Sequence, residues 1–128
     1  MACPFDSLEL CTLSTLARSS PSGSIGLAPT FERFEQRSPA YQISKAAPNR
    51  LTAQYSAEYA KEGFVVLAVS PGVMGQHADI STETSVNAVL HILDTKGKED
   101  SGKFFNIHVP GWENAPALNQ YDGEELPW

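Results

Sequence analysis

Tyr41 and Lys45 stand four residues apart in Tyr41-Gln-Ile-Ser-Lys45. On a helix this spacing puts both side chains on one face, within reach of each other. A cation beside a phenol favours the phenolate and makes the tyrosine usable as a proton donor or acceptor. Donating a proton or a hydrogen bond to a carbonyl oxygen is the least demanding task for such a pair. Acting as a base near neutral pH asks for about 4 kcal/mol of differential stabilisation. No glycine-rich strand-to-helix turn precedes the pair, so the sequence lacks the usual cradle for a dinucleotide pyrophosphate.

The elements that must position the pair are legible on its C-terminal side. Ala40 to Lys61 reads as a helix, because Ile43, Ala47, Leu51, Tyr55 and Tyr59 recur every four residues and further alanines widen the apolar side. So broad a face predicts burial on two sides, against a sheet and against a partner helix. Pro39 suits the first turn, and Gly63 the end. Pro48 contradicts the pattern, since inside a helix it removes one hydrogen bond and clashes with the Ser44 carbonyl. Phe64 to Val69 is a continuous apolar run with β-branched residues, as in a buried parallel strand. Ser70-Pro71-Gly72 stops it. Ser81 suits the cap of a second helix striped by Val86, Val89, Leu90 and Leu93, which Lys96-Gly97-Lys98 closes. Phe104 to Val109 reads as another strand. Pro110 to Trp128 reads as a tail that Trp112, Tyr121 and Trp128 pin down. Helix, strand, helix and strand in this order argue for an α/β layer with parallel strands.

Upstream the pattern is weaker. Residues 1–18 scatter Leu8, Leu10, Leu13 and Leu16 among Ser and Thr with neither strand nor helix period. Residues 21–40 read as a Pro-, Gly- and Ser-rich loop with one short helical turn in Phe31 to Arg37. The 128 residues make one domain, 1–128, with an apolar fraction of 41% and a net charge of −6. That charge disfavours nucleic acid and anionic membranes as partners, and no apolar run is long enough to cross a bilayer. Cys3 and Cys11 fit no zinc or redox spacing, and His77, His91 and His108 share no metal-ligand spacing, so no metal is expected. No secretory signal is visible and the cytoplasm is the default location.

Tyr41-x-x-Ser44-Lys45-Ala46-Ala47, the helix, the strand ending in Ser70-Pro71-Gly72, the second helix and the last strand together resemble the C-terminal half of a short-chain dehydrogenase/reductase. The stretches Gly102 to Asn114 and Asn119 to Trp128 look like the carbonyl-reductase-like branch found in filamentous fungi. The resemblance covers residues 19–128. It implies an α/β fold, a partial Rossmann-like parallel sheet with flanking helices, completed by oligomerisation. It also implies that Tyr41 is the catalytic acid/base, that Lys45 tunes it and contacts the nicotinamide ribose, and that Ser20 (Ser19 second) is the catalytic serine.

Three departures qualify what the resemblance implies. The family's four earlier strands, with the glycine turn and a relay asparagine, are not in this sequence. Val73-Met-Gly-Gln-His77 replaces the usual segment after Pro71-Gly72, and Pro48 follows the Tyr–Lys pair closely. The expected function is therefore a redox-neutral acid/base step, an isomerisation, cyclisation or dehydration of a small carbonyl-bearing metabolite in a fungal pathway, with no cofactor. One alternative is carbonyl reduction with NADP(H), retained or completed by a partner chain. The other is a non-catalytic interaction subunit or a decayed remnant. A homodimer or hetero-oligomer is the expected assembly.

Overall fold

Strand β1 (Ser14–Arg18), helix α1 (Ala28–Arg33), helix α2 (Pro39–Glu58), strand β2 (Val65–Ser70), helix α3 (Thr82–Thr95), strand β3 (Phe104–Asn106) and strand β4 (Glu125–Leu126) follow one another along the chain. They belong to a computed structural model that describes residues 14–33, 38–73, 78–114 and 120–128. Leu8, Leu10, Leu13, Cys3, Cys11, Met74 and His77 lie outside the described residues. The strands form one sheet in the order β1-β2-β3-β4, parallel between the first three and antiparallel at β4. The fold is α/β, with helices flanking a mostly parallel sheet.

The apolar run expected as a strand is the centre of this sheet, and all six residues of β2 are buried. Strand residues alternate between faces. Val65, Leu67 and Val69 join Ile92 of α3, Phe105, Ile107 and Tyr121 in the main core. Val66, Ala68 and Ser70 point to the opposite face, where α2 crosses β2 and β1. Ser81 caps α3 as expected, its Oγ accepting from the Thr84 N–H at 3.1 Å.

Several elements differ from the sequence-based expectation. The polar segment before Ser19 does form a strand, because β2 offers it a parallel partner from Val65 to Val69. Ladder pairing with a buried neighbour outweighs weak intrinsic preference. The strand expected over Phe104 to Val109 keeps ladder pairing only to Asn106, and Ile107 and Val109 then pair singly with the returning tail. That tail adds β4, which carries no strand pattern of its own. Its anchors are as expected: Trp128 stacks on Phe104 at 5.7 Å and Trp112 meets Tyr121 at 5.6 Å.

Helix α2 starts at Pro39 and ends three residues early, at Glu58; a 3-10 turn over Ala60–Glu62 then closes on Gly63 in the left-handed region (φ 81°). Pro48 sits inside the helix without ending it. The carbonyl it deprives, that of Ser44, belongs to an exposed residue that water can reach. The larger surprise is orientation. Asn49 and Thr52 are the buried residues of α2, while Ile43 (71% exposed), Leu51 and Tyr55 face outward. The helix rests on the sheet with its small and polar side and presents its bulky apolar row away from it.

Candidate active site

In a parallel sheet the carboxyl ends of the strands share one edge, and ligands of open α/β sheets bind beyond that edge. Ser19 follows β1 there, its N–H donating to the Val69 carbonyl at 2.8 Å. Ser20 then caps a 3-10 turn over Pro21–Gly23, its Oγ accepting from the Ser22 N–H at 3.3 Å. This turn packs on the first turns of α2. A β-carbon on Gly23 would lie 2.5 Å from the Lys45 carbonyl carbon and 2.7 Å from the Lys45 Cβ, so only glycine allows the approach.

On the same turns of α2, the Lys45 Nζ stands 5.6 Å from the centre of the Tyr41 ring. The helical spacing read from the sequence is thus realised as a cation over an aromatic face, about the limit of a useful cation–π contact. Tyr41 is 49% exposed. Ser44 Oγ turns back to the Tyr41 carbonyl at 2.7 Å and takes no part.

The two candidate serines have different neighbours. Ser20 is partly exposed and holds the turn. Ser19 is buried at 3% exposure; its Oγ donates to Asn49 Oδ1 and lies 3.3 Å from the Lys45 carbonyl. Asn49, absent from the sequence-based candidates, is therefore the residue that ties α2 to the end of β1. Its Nδ2 is buried without a hydrogen-bond partner among the described residues. A polar residue on the side of α2 opposite the apolar row was the available signal. It loses its meaning once the apolar row is assumed to face the sheet.

The second rim of this edge is the connection leaving β2. Ser85 Oγ donates to the Pro71 carbonyl at 2.6 Å, and Gly72 takes φ 86° with Ile80, Ile107 and Tyr121 packed against it. Tyr121 Oη accepts from the Val73 N–H and donates to Asp79 Oδ2, both at 3.1 Å. Burial, and the Asp79 carboxylate that takes its hydrogen bond, hold the Tyr121 phenol above its ordinary value.

The carboxyl edge of this sheet, with a serine turn and a Tyr–Lys pair at the start of a helix, belongs to part of a Rossmann-like α/β fold. The chain is homologous to the short-chain dehydrogenases and carbonyl reductases over part of their length. It is 31% identical over 124 residues to the short-chain dehydrogenase srdF of Neurospora crassa, which covers 86% of this chain and 42% of that protein. It is 32% identical over 94 residues to the C-signal protein of Myxococcus xanthus, over 70% of this chain and 48% of that one. The chain thus spans less than half the length of these relatives. Among solved structures, the NADPH-bound carbonyl reductase from chicken fatty liver matches with a TM-score of 0.65 at 25% identity, over 90% of this chain and 42% of that one. The carbonyl reductase Sniffer of D. melanogaster shares the fold, with a TM-score of 0.66 at 23% identity over 90% and 41%. No protein-family model matches the chain.

The turn after β1 does not offer a nicotinamide dinucleotide its usual pyrophosphate seat. Its pyrophosphate needs backbone N–H groups at an open glycine turn before a helix. The turn after β1 is filled instead, with Gly23 pressed on Lys45.

Proposed function

We propose that this chain performs a redox-neutral proton transfer on a small carbonyl compound, with Tyr41 as proton donor to the carbonyl oxygen. Lys45 holds its ammonium beside the ring. The proton on the carbon next to the carbonyl passes to solvent water, giving the enol; water then returns a proton to that carbon from either face while the enol O–H gives its proton back to Tyr41, which completes isomerisation. The observation that carries this reading is the Lys45 Nζ at 5.6 Å over the half-exposed Tyr41 ring, on the helix that follows the carboxyl end of β1.

Incorporation of solvent deuterium next to the carbonyl of small ketones, followed by NMR, tests it. A positioned general acid contributes about 100-fold or more, so Tyr41→Phe should lose that much rate while keeping its circular dichroism. A Tyr41→Phe chain as fast as the parent would sink the proposal.

A second reading, carbonyl reduction with NADP(H) in an assembly, is favoured by a different observation. β1 has no neighbour on its outer side among the described residues, and the apolar row of α2 is exposed. Both features suit a partner chain that brings a nucleotide-binding half. Calorimetric titration with NADPH separates two forms of this reading: low-micromolar binding by the isolated chain means that the nucleotide is held without a partner, and no binding leaves the nucleotide-binding half to a partner chain.

A further inference from the structure

The tail after Val109 touches both connections that rim the candidate site. In its second half, Tyr121 grips Val73 and Asp79 on the β2 side, as described above. At its last described residues, Ser24 Oγ donates to the Pro127 carbonyl at 2.6 Å and the Gly26 N–H donates to the Trp128 carbonyl at 2.7 Å. The Trp128 ring stacks on buried Phe104, which fixes these two carbonyls against β3. The segment they hold would otherwise be poorly anchored, since Ile25 is 79% exposed and Gly26 has no side chain.

From Ser24 the contacts run straight to the Tyr–Lys pair. The Ser24 N–H donates to the Pro21 carbonyl at 3.0 Å, the Gly23 N–H to the Ser20 carbonyl at 2.9 Å, and Gly23 lies against the Lys45 main chain. Close-packed groups transmit small displacements rather than absorbing them. We propose that the Pro127–Trp128 segment is a positioning element for Lys45, acting through Ser24 and the Ser20–Gly23 turn. The proposal rests on Tyr41 and Lys45 as the acting pair. Ser24 and Trp128 are positioning residues here; neither touches a reacting atom. Tyr121 does the same on the β2 side, so one tail sets the spacing between the two rims.

The test uses Trp128→Ala and Ser24→Ala in the full chain, read by amide exchange and by NMR shifts. Both variants should lower protection of the Gly26 amide at least tenfold. Both should also move the Lys45 and Tyr41 resonances, with those of Asp94, on the exposed side of α3, unchanged. A variant that is only less stable would leave the native-state Lys45 resonances where they were. Loss of Gly26 protection with unmoved Lys45 and Tyr41 resonances overturns the proposal, as does unchanged Gly26 protection. If Trp128→Ala fails to fold, Ser24→Ala decides, because it removes a single hydroxyl. A parent chain that shows no deuterium incorporation would refute the proton-transfer reading alone, since the resonance shifts report positioning without turnover.

Discussion

The α-carbon of Gly23 lies against the main chain of Lys45, leaving no room for a β-carbon between the serine turn and helix α2. Through this contact the end of β1 and the Tyr–Lys pair become one unit, although about 20 residues of weak pattern separate them in the sequence.

Gly23→Ala should separate the two. Its new methyl would meet Lys45 and Ala46 main-chain atoms at 2.5 to 2.8 Å, and backbone cannot rotate away as a side chain would. Overpacking of this kind costs about 1–3 kcal/mol. A urea midpoint equal to that of the parent would contradict the packing described.

The Ser19–Asn49 pair makes a prediction about non-additivity. Ser19→Ala takes the donor from buried Asn49 Oδ1, beside an Nδ2 that already lacks a partner among the described residues. Leaving a buried polar atom unpaired costs about 1–3 kcal/mol. Adding Asn49→Val removes both polar atoms at a similar volume, so the double variant should recover part of that loss. A double variant less stable than Ser19→Ala by the full cost of Asn49→Val would argue against the pairing.

Tyr121 should give an alkaline limb to stability. Burial and the hydrogen bond to Asp79 raise its folded-state value above 10, so the folded chain holds the proton more tightly than the unfolded one. The stability contributed is complete below about pH 10 and falls as pH rises past it. Tyr121→Phe should cost about 1–3 kcal/mol at pH 7 through its two lost hydrogen bonds. The gap between parent and variant should narrow in unfolding experiments carried from pH 9 to 11; a constant gap would refute the assignment.

The outward row of α2 should mediate association. Leu51 is 47% exposed, so Leu51→Glu should change folding stability by less than about 0.5 kcal/mol. In sedimentation at micromolar concentration the parent should run as an assembly and Leu51→Glu as a monomer. A monomeric parent would count against self-association through this face.

The central strand Val65 to Ser70, the Ser81 cap of α3 and the Tyr41–Lys45 spacing were readable because each depends on a local pattern: a continuous apolar run, a capping residue, a helical repeat. Ser14 to Arg18 was not readable as a strand, because its pairing partner lies about 50 residues away and no local preference announces it. Glu125 and Leu126 became a strand for the same reason.

The amino-acid order alone determined that α2 has a broad apolar row and a Tyr–Lys pair on its first turns. Only the tertiary structure decided which side of that helix meets the sheet, and it chose Asn49 and Thr52. A periodic pattern defines a face but not its partner. Close approach of main chains, as at Gly23 and Lys45, favours small residues over bulky ones, and that preference is expressed only when the segments meet.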